Sequence, residues 1–126
     1  MDKTIMVGRV SLGGTSPLAL IAGPCVIESR KMCLDLAKRL SELAGEEEIP
    51  LIFKASYDKA NRTSIEAFRG PGLKKGLEIL AEVKETFKLP ILTDVHAVEE
   101  VEPAAQVADM LQLPAFLCRQ TDLVVE

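Results

Sequence analysis

Short apolar runs alternate with segments of helical spacing along most of this 126-residue chain. The runs, residues 18–22, 51–55, 91–94 and 109–113, predict four strands. Helices are predicted from Ser29, a capping residue, to about residue 44, with Gly45 as the stop, and over 73–87, 98–107 and 117–126. Pro103 is expected in the first turn of the third helix or at a kink. This alternation is typical of parallel strands with crossover helices, so we expect an α/β protein. The first strand, LALIA, has five apolar residues in a row, as expected of a strand that is buried on both faces.

Each predicted strand ends in a polar cluster: GPCVIES, KASYDKANR, TDVH and QLPAF. Polar side chains at the carboxyl ends of successive strands build the active sites of (β/α)8 barrels. An open flavodoxin-like sheet shares the alternation but has no need of reactive residues at every strand end. Since a full barrel takes about 250 residues, we expect the N-terminal half of a TIM barrel over 18–126, apparently truncated, preceded by a β-hairpin or cap over 1–17.

The window 51–76 reverses the acidic balance of the whole chain, which has 15 Lys and Arg against 19 Asp and Glu. The acidic residues of this window are Asp58 and Glu66. They are outnumbered by the basic residues, which are Lys54, Lys59, Arg62, Arg69, Lys74 and Lys75. Cations just past the carboxyl end of a strand suit the capture of small phosphorylated or carboxylated metabolites. A solvated surface loop can carry the same charges, so composition alone leaves both interpretations open.

Composition argues against several other classes of protein. Aromatic residues make up only 4% of the chain, Trp is absent and the net charge is -4, so we expect no nucleic-acid partner. Three cysteines without CxxC spacing favour reduced thiols and a cytoplasmic location. No apolar run approaches the length of a membrane span, so no membrane association is expected.

The segments IAGPCVIES, FKASYDKANR, FRGPGL, TDVH and QLPAFLCRQTDL, in that order, resemble the N-terminal half of the 3-deoxy-D-manno-octulosonate 8-phosphate synthases. The resemblance covers nearly all of the chain after residue 17, and KANR is its most specific part. The 3-deoxy-D-arabino-heptulosonate 7-phosphate (DAHP) synthases share a GPC-type first loop but differ in the second, and rank second. The resemblance implies condensation of phosphoenolpyruvate with arabinose 5-phosphate and water, releasing phosphate.

The same resemblance assigns roles residue by residue. It places Lys54 and Ser56 on the enolpyruvate carboxylate and Lys59 between the two substrates. Asp94 and His96 would lie beside the sugar, and with Lys54 and Lys59 they form the predicted catalytic set. The remaining predicted substrate contacts are Asn61, Arg62 and Thr63 on the sugar phosphate side, and Gln112, the backbone of Ala115, and Arg119 around the enolpyruvate and its phosphate.

The residue at position 25, a cysteine, determines whether the chain is predicted to belong to a metal-dependent subclass of the family that it resembles. Judged from sequence spacing alone, a single cysteine is more often a small buried apolar residue than a metal ligand. The family resemblance instead implies a metal-dependent subclass in which Cys25 binds a divalent ion such as Zn²⁺, Fe²⁺ or Mn²⁺, with the other ligands supplied by the second half of the barrel. His96 is expected to be a neighbour of the sugar and not a ligand.

The resemblance also implies a homotetramer for the full-length protein. A third hypothesis is a non-catalytic half-barrel that serves as an assembly partner or a truncated product, since a half-barrel exposes two strand edges. In either case we expect the isolated 126 residues to lack synthase turnover.

Overall fold

The computed structural model describes residues 3–60 and 62–126 of the chain. Strands and helices alternate along it as the apolar runs predict. The strands are β1 (Ile5–Val7), β2 (Val10–Leu12), β3 (Leu20–Ala22), β4 (Leu51–Lys54), β5 (Ile91–Asp94) and β6 (Met110–Gln112). The helices are α1 (Arg30–Glu46), α2 (Leu73–Phe87), α3 (Val98–Ala105), a short 3-10 helix (Ala115–Leu117) and α4 (Thr121–Val125).

The main sheet has the order β3-β4-β5-β6, and all of its neighbouring strands are parallel. Consecutive strands along the chain are therefore neighbours in space, with α1, α2 and α3 in the connections. This is the arrangement of successive strand–helix units in a (β/α)8 barrel. The predicted fold class, an α/β half-barrel, is confirmed, and the predicted strand at residues 91–94 matches β5 at both ends.

The two faces of the sheet are divided by the alternation of side chains along each strand. Leu51, Phe53 and Ile91 pack with the buried faces of the helices in the larger core. Ile52 and Leu92 point to the opposite, inner face, where they form a second buried cluster. The sheet therefore has a helix-covered outer face and a separate inner face that corresponds to the interior of a barrel.

An antiparallel hairpin of β1 and β2 lies at the amino end of the main sheet. Its Val7 and Val10 pack against Ile52 and Leu92 in the inner cluster. Gly8, in the hairpin turn with φ +57°, approaches Pro90 and Asp109, which immediately precede β5 and β6. The hairpin expected near the N-terminus is present, and it buries apolar side chains beneath the inner face.

Helix α1 begins as predicted and ends later. The Ser29 side chain accepts a hydrogen bond from the Met32 amide, so it is the N-cap, and Cys33 is fully buried in the core. The prediction that Gly45 stops the helix is wrong, because α1 continues to Glu46. The positive φ near this end belongs to Glu48, at 54°, and not to the glycine.

Strand β3 is less buried than its apolar sequence predicts. Leu20 and Ile21 are 38% and 44% exposed, and Leu18 before them is 91% exposed. Within the described residues β3 pairs only with β4, so one of its edges is open and the expectation of burial on both faces is wrong here. Pro103 lies in the second turn of α3 and not in the first, and the helix ends two residues later. No helix in the described part of the chain is long and apolar enough to cross a bilayer.

Candidate functional site

Three polar side chains follow the inner apolar cluster at the carboxyl end of the sheet. Along β4, β5 and β6, the residues two positions beyond Ile52, Leu92 and Met110 are Lys54, Asp94 and Gln112. Because side chains alternate along a strand, each lies on the same inner face as the apolar residue before it. Asp94 and Gln112 are direct partners in the β5–β6 register. On the inner face of the sheet, apolar side chains are thus followed directly by polar ones towards the carboxyl ends of the strands.

Asp94 and His96 form a buried pair of titratable side chains in the site. Asp94 Oδ2 lies 3.1 Å from His96 Nε2, and the two side chains are 5% and 9% exposed. The ring N–H is not aligned with that oxygen for a hydrogen bond. Among the described residues, Asp94 Oδ1, both ring nitrogens of His96 and the Ser56 hydroxyl have no hydrogen-bond partner. Buried polar atoms are normally paired, so this group is equipped to bind a polar ligand or water.

The electrostatics of the pair favour its charged form. Burial alone would raise the pKa of Asp94, but contacts with His96 and Ser56 and the nearby charge of Lys59 outweigh it, so its pKa lies below the ordinary value. The contact with Asp94 raises the pKa of His96 against the opposing effect of burial, and Asp58 and Glu100 add to the rise. The site therefore combines a carboxylate with an imidazole that gains protons readily, which is suitable for proton transfer or for binding hydroxyl groups.

A cavity of about 190 Å³ opens in front of Asp94. Gln112 and Ala115 line it together with Ala60, Pro114 and Phe116. A second cavity, of about 500 Å³, is lined by Lys59, Arg62 and Thr63 along with Ala60, Ser64, Ile65 and Arg69. Both cavities include Ala60. The region around Asp94 therefore adjoins the loop after β4 that carries Lys59, Arg62 and Arg69, which we call the cationic loop.

The cationic loop is ordered by contacts among its own residues. Arg69 donates to both carboxylate oxygens of Asp58, with Nε–Oδ1 and Nη2–Oδ2 distances of 2.9 Å, and Asp58 Oδ1 also accepts from the Lys59 amide at 2.7 Å. The Arg62 Nε donates to the Phe68 carbonyl at 3.1 Å. Arg69 is paired with Asp58. Among the described residues that line the larger cavity, Lys59 and Arg62 are the cations without a carboxylate partner and are suited to binding an anion.

Cys25 lies just beyond β3, at the same end of the sheet, and is exposed. Gly23 lies between the strand and this cysteine. A Cβ on Gly23 would lie 1.7 Å from the Lys54 carbonyl oxygen, so only glycine allows β3 and β4 to approach this closely. A thiolate at an exposed strand end is a chemically suitable donor for a borderline divalent ion. Among the described residues no group of three His, Cys, Asp or Glu side chains could hold a metal, so Cys25 fits as one ligand only.

Two residues that sequence reasoning missed support the site. Tyr57 is fully buried in the loop that follows β4, and its hydroxyl donates to Glu100 Oε1 at 2.7 Å. The same oxygen accepts from the His96 amide at 3.0 Å. A Glu near the third position of a predicted helix is a known capping signal and could have drawn attention to Glu100. No sequence signal pairs it with a tyrosine 43 residues away.

The structure brings together most of the predicted site residues that it describes. Ser56, Lys59, Asp94 and His96 are linked by contact or by charge, and Gln112 and Ala115 share the smaller cavity with Asp94. Arg119 is exposed beyond the 3-10 helix and lines neither cavity. Asn61 lies outside the described residues.

Comparison with known proteins identifies the family of the chain. A sequence model described as the DAHP synthetase I family matches residues 2–126. The chain belongs to the DAHP synthetase I family. Among curated members, the protein named 2-dehydro-3-deoxyphosphooctonate aldolase from Geobacter metallireducens is 62% identical over 126 residues, which is 100% of this chain and 46% of that protein.

Further relatives carry the same name. Those from Citrifermentans bemidjiense and Geobacter sulfurreducens are 62% and 55% identical over 99% and 100% of this chain, and each match covers 46% of the relative. The chain therefore spans about half the length of the curated relatives it matches. The 2-dehydro-3-deoxyphosphooctonate in their name is the product of the synthases that the sequence motifs resemble, so the first-ranked resemblance is confirmed. The metal-dependent subclass stays a prediction.

Proposed function

We propose that the protein to which this chain contributes condenses phosphoenolpyruvate with D-arabinose 5-phosphate and water. Carbon 3 of the enolpyruvate forms a bond to the sugar aldehyde carbon, water adds at carbon 2, and inorganic phosphate leaves. The products are 3-deoxy-D-manno-octulosonate 8-phosphate and phosphate. The observation that carries the proposal is the buried group of Ser56, Asp94 and His96 beside a cationic cavity at the carboxyl end of the sheet. Several polar atoms of this group have no hydrogen-bond partner within residues 3–60 and 62–126.

The reaction needs positive charge around its phosphates and its carboxylate. Lys54 and Ser56 would hold the enolpyruvate carboxylate, because both follow the inner face at the end of β4. Lys59 would lie between the substrates, since its charge acts on Asp94 while its side chain lines the larger cavity. Gln112, the Ala115 backbone and Arg119 would contact the enolpyruvate and its phosphate. Fixed charges of this kind stabilise developing charge without reorganisation during the reaction.

The sugar phosphate would occupy the larger cavity. Arg62 and Thr63 line it and would bind the phosphate, with Asn61 on a sugar hydroxyl. Asp94 and His96 would then lie at the other end of the sugar, near the reacting aldehyde. Their unpartnered atoms suit the hydroxyl groups and proton transfers of that end. Asp94 and His96 are thus the groups we propose to move or hold protons.

We propose Cys25 as the one metal ligand in this chain, with the other ligands supplied from elsewhere in the protein. A divalent ion bound there would polarise an oxygen of the substrate. Support comes from the exposed thiol at a strand end on the same side of the sheet as Asp94. Retention of Zn²⁺ or Fe²⁺ by the complete protein, and its loss in Cys25→Asn, would test this assignment by metal analysis alone.

The function is tested by supplying phosphoenolpyruvate with either sugar to the complete polypeptide that contains this chain. We expect phosphate release and an eight-carbon product with arabinose 5-phosphate. Lys59→Gln should reduce turnover by about 100-fold or more, because it removes a charge at the junction of both substrates. Lys75→Gln is the matched control, since Lys75 is exposed on α2 and lines neither cavity. Equal loss in both variants would contradict the proposed role of Lys59.

A second candidate is the DAHP synthase reaction, in which erythrose 4-phosphate is the acceptor. The description of the matching family favours it. A strong preference for erythrose 4-phosphate over arabinose 5-phosphate in the same assay would establish this alternative and reject the first.

The remaining expectations stay predictions. They are the division into a cap over 1–17 and a half-barrel over 18–126, a cytoplasmic location, a homotetramer, and an inactive isolated chain. The open edge of β3 supports an assembly in which further protein covers that edge.

A further inference from the structure

Tyr57 is closely enclosed by its neighbours beside the site. It is fully buried, and a Cβ on Gly76 of α2 would lie 2.3 Å from its own Cβ. A Cβ on Gly70, whose φ is +128°, would lie 2.3 Å from its carbonyl oxygen, which accepts from the Gly72 amide at 3.0 Å. Two glycines therefore allow the backbone and α2 to close on Tyr57 from different directions. A side chain enclosed in this way can hold a neighbouring group in a defined position.

Glu100 joins this fixed residue to the segment that carries His96. Its Oε1 accepts from the Tyr57 hydroxyl at 2.7 Å and from the His96 amide at 3.0 Å. The rings of Tyr57 and His96 also meet edge to face, with centroids 5.6 Å apart and planes at 78°. One carboxylate oxygen therefore connects the loop after β4 to the loop after β5.

A helix cap alone does not account for this arrangement. Glu100 is the third residue of α3, and a glutamate there commonly reaches back to an amide at the helix start. Such a cap needs only the local amide. Here the same oxygen takes a second donor from a residue 43 positions earlier in the chain. The shared acceptor fixes the distance between two strand ends, which a local cap cannot do.

We propose that Glu100 is a positioning residue, which holds the His96 backbone against Tyr57 and thereby keeps the His96 ring beside Asp94 at the sugar-binding end of the site. This inference rests on the proposed function, in which Asp94 and His96 lie near the reacting aldehyde. A misplacement of about 1 Å in such a group can cost about 100-fold in rate.

The charge environment is consistent with a role in positioning. The groups that act on His96 are Asp94, Asp58 and Glu100, all carboxylates. Burial and the hydrogen bond to Glu100 raise the pKa of Tyr57 above its ordinary value, so its hydroxyl stays protonated and can donate. The hydrogen bond to a charged acceptor is also among the stronger kinds in proteins.

His96 is the only histidine in the chain, so its ring and amide signals can be followed by NMR without ambiguity. The test compares the chain with Tyr57→Phe and Glu100→Gln. Glu99→Gln is the matched control, because Glu99 is the exposed neighbour in the same helical turn. Circular dichroism of each variant establishes that it is folded.

We expect the His96 amide to exchange several-fold to tenfold faster in Tyr57→Phe and Glu100→Gln than in the unaltered chain or in Glu99→Gln. Glu100→Gln should also lower the titration midpoint of the His96 ring, because it removes one of the three carboxylates. Unchanged exchange in Tyr57→Phe would mean that Glu100 only caps α3, and would overturn the proposal. Should that variant fail to fold, unchanged exchange and titration in Glu100→Gln would overturn it equally.

A separate measurement tests whether His96 lies at the substrate, independently of how its backbone is held. Arabinose 5-phosphate added to the complete polypeptide should shift the His96 ring signals, and kcat should fall more than KM changes in Tyr57→Phe. No response of the ring to the sugar would reject the role of His96 at the substrate while leaving the exchange result intact. The two failures are therefore distinguishable.

Discussion

The two ends of the main sheet use their polar groups in opposite ways. At the amino end, Asp109 accepts from the Ile91 amide at 2.9 Å and from Lys84 at 3.1 Å, and Lys84 also donates to the Val107 carbonyl. At the carboxyl end, Ser56 and Asp94 keep buried oxygens without partners among the described residues. The amino end consumes its hydrogen-bonding capacity in the fold, whereas the carboxyl end retains capacity for a ligand. This division is the one expected of barrel enzymes, whose active sites lie at the carboxyl ends of the strands.

The largest expected effect is complete loss of turnover in the isolated 126 residues. Apolar groups of this chain already cover the inner face at the amino end, whereas the proposed reaction needs further phosphate and metal ligands at the carboxyl end. The measurement is product formation by the purified chain, with the complete polypeptide assayed alongside it. Measurable turnover by the chain alone would show that the carboxyl end of its sheet already holds every group that the reaction needs. It would contradict the view that this end awaits further ligands.

Asp94→Asn and Asp109→Asn test the comparison directly, because they make the same chemical change at opposite ends of the sheet. In the complete polypeptide, Asp94→Asn should reduce kcat by about 100-fold or more, since it removes a buried charge next to the reacting groups. Asp109→Asn should leave kcat near its original value and lower the free energy of unfolding by about 1–3 kcal/mol. Steady-state kinetics and urea unfolding of both variants check this, and the reverse pattern would contradict it.

Ile52→Ala should lower the free energy of unfolding by about 2–5 kcal/mol, because Ile52 is fully buried in the inner cluster beneath the hairpin. Specific activity per folded molecule should change little, since the polar layer begins two residues later at Lys54. Urea unfolding gives the stability, and kinetics corrected for the folded fraction gives the activity. Ile65→Ala is the control, because Ile65 is 100% exposed and its truncation should leave stability unchanged within about 0.5 kcal/mol.

The smallest effect concerns pH. The contact with Asp94 raises the folded-state pKa of His96 above its ordinary value of 6.5, so protonated His96 stabilises the folded chain. This stabilisation is fully present below the unfolded-state pKa and is lost as the pH rises through the higher folded-state pKa. We expect stability to decline over that interval, and His96→Gln to remove this part of the decline. Urea unfolding across the interval measures it, and an unchanged slope in His96→Gln would contradict the coupling.

The elements that the sequence predicts best are those that local signals define. The apolar run before Thr93 and the cap at Ser29 locate β5 and the start of α1. The end of α1 was predicted wrongly, because glycine permits a helix to stop without requiring it. The burial of β3 was also overestimated, since an apolar run does not reveal whether both neighbouring strands are present.

The site divides in the same way. Strand-end position predicted that Asp94 would lie at the carboxyl end of the sheet, and the structure pairs it there with Gln112. The pairing of Asp58 with Arg69 and the connection from Tyr57 through Glu100 depend on loops that fold back over many residues. Such contacts are set by tertiary packing and leave no periodic pattern to read.

Gly23 limits how this protein can vary. The position of a Cβ is set by the backbone, so no choice of rotamer can move it away from the Lys54 carbonyl oxygen. In a library of all twenty amino acids at this position, folded clones should therefore contain glycine alone. Variation at the end of β3 must then act through neighbouring positions such as Cys25, whose side chain is exposed.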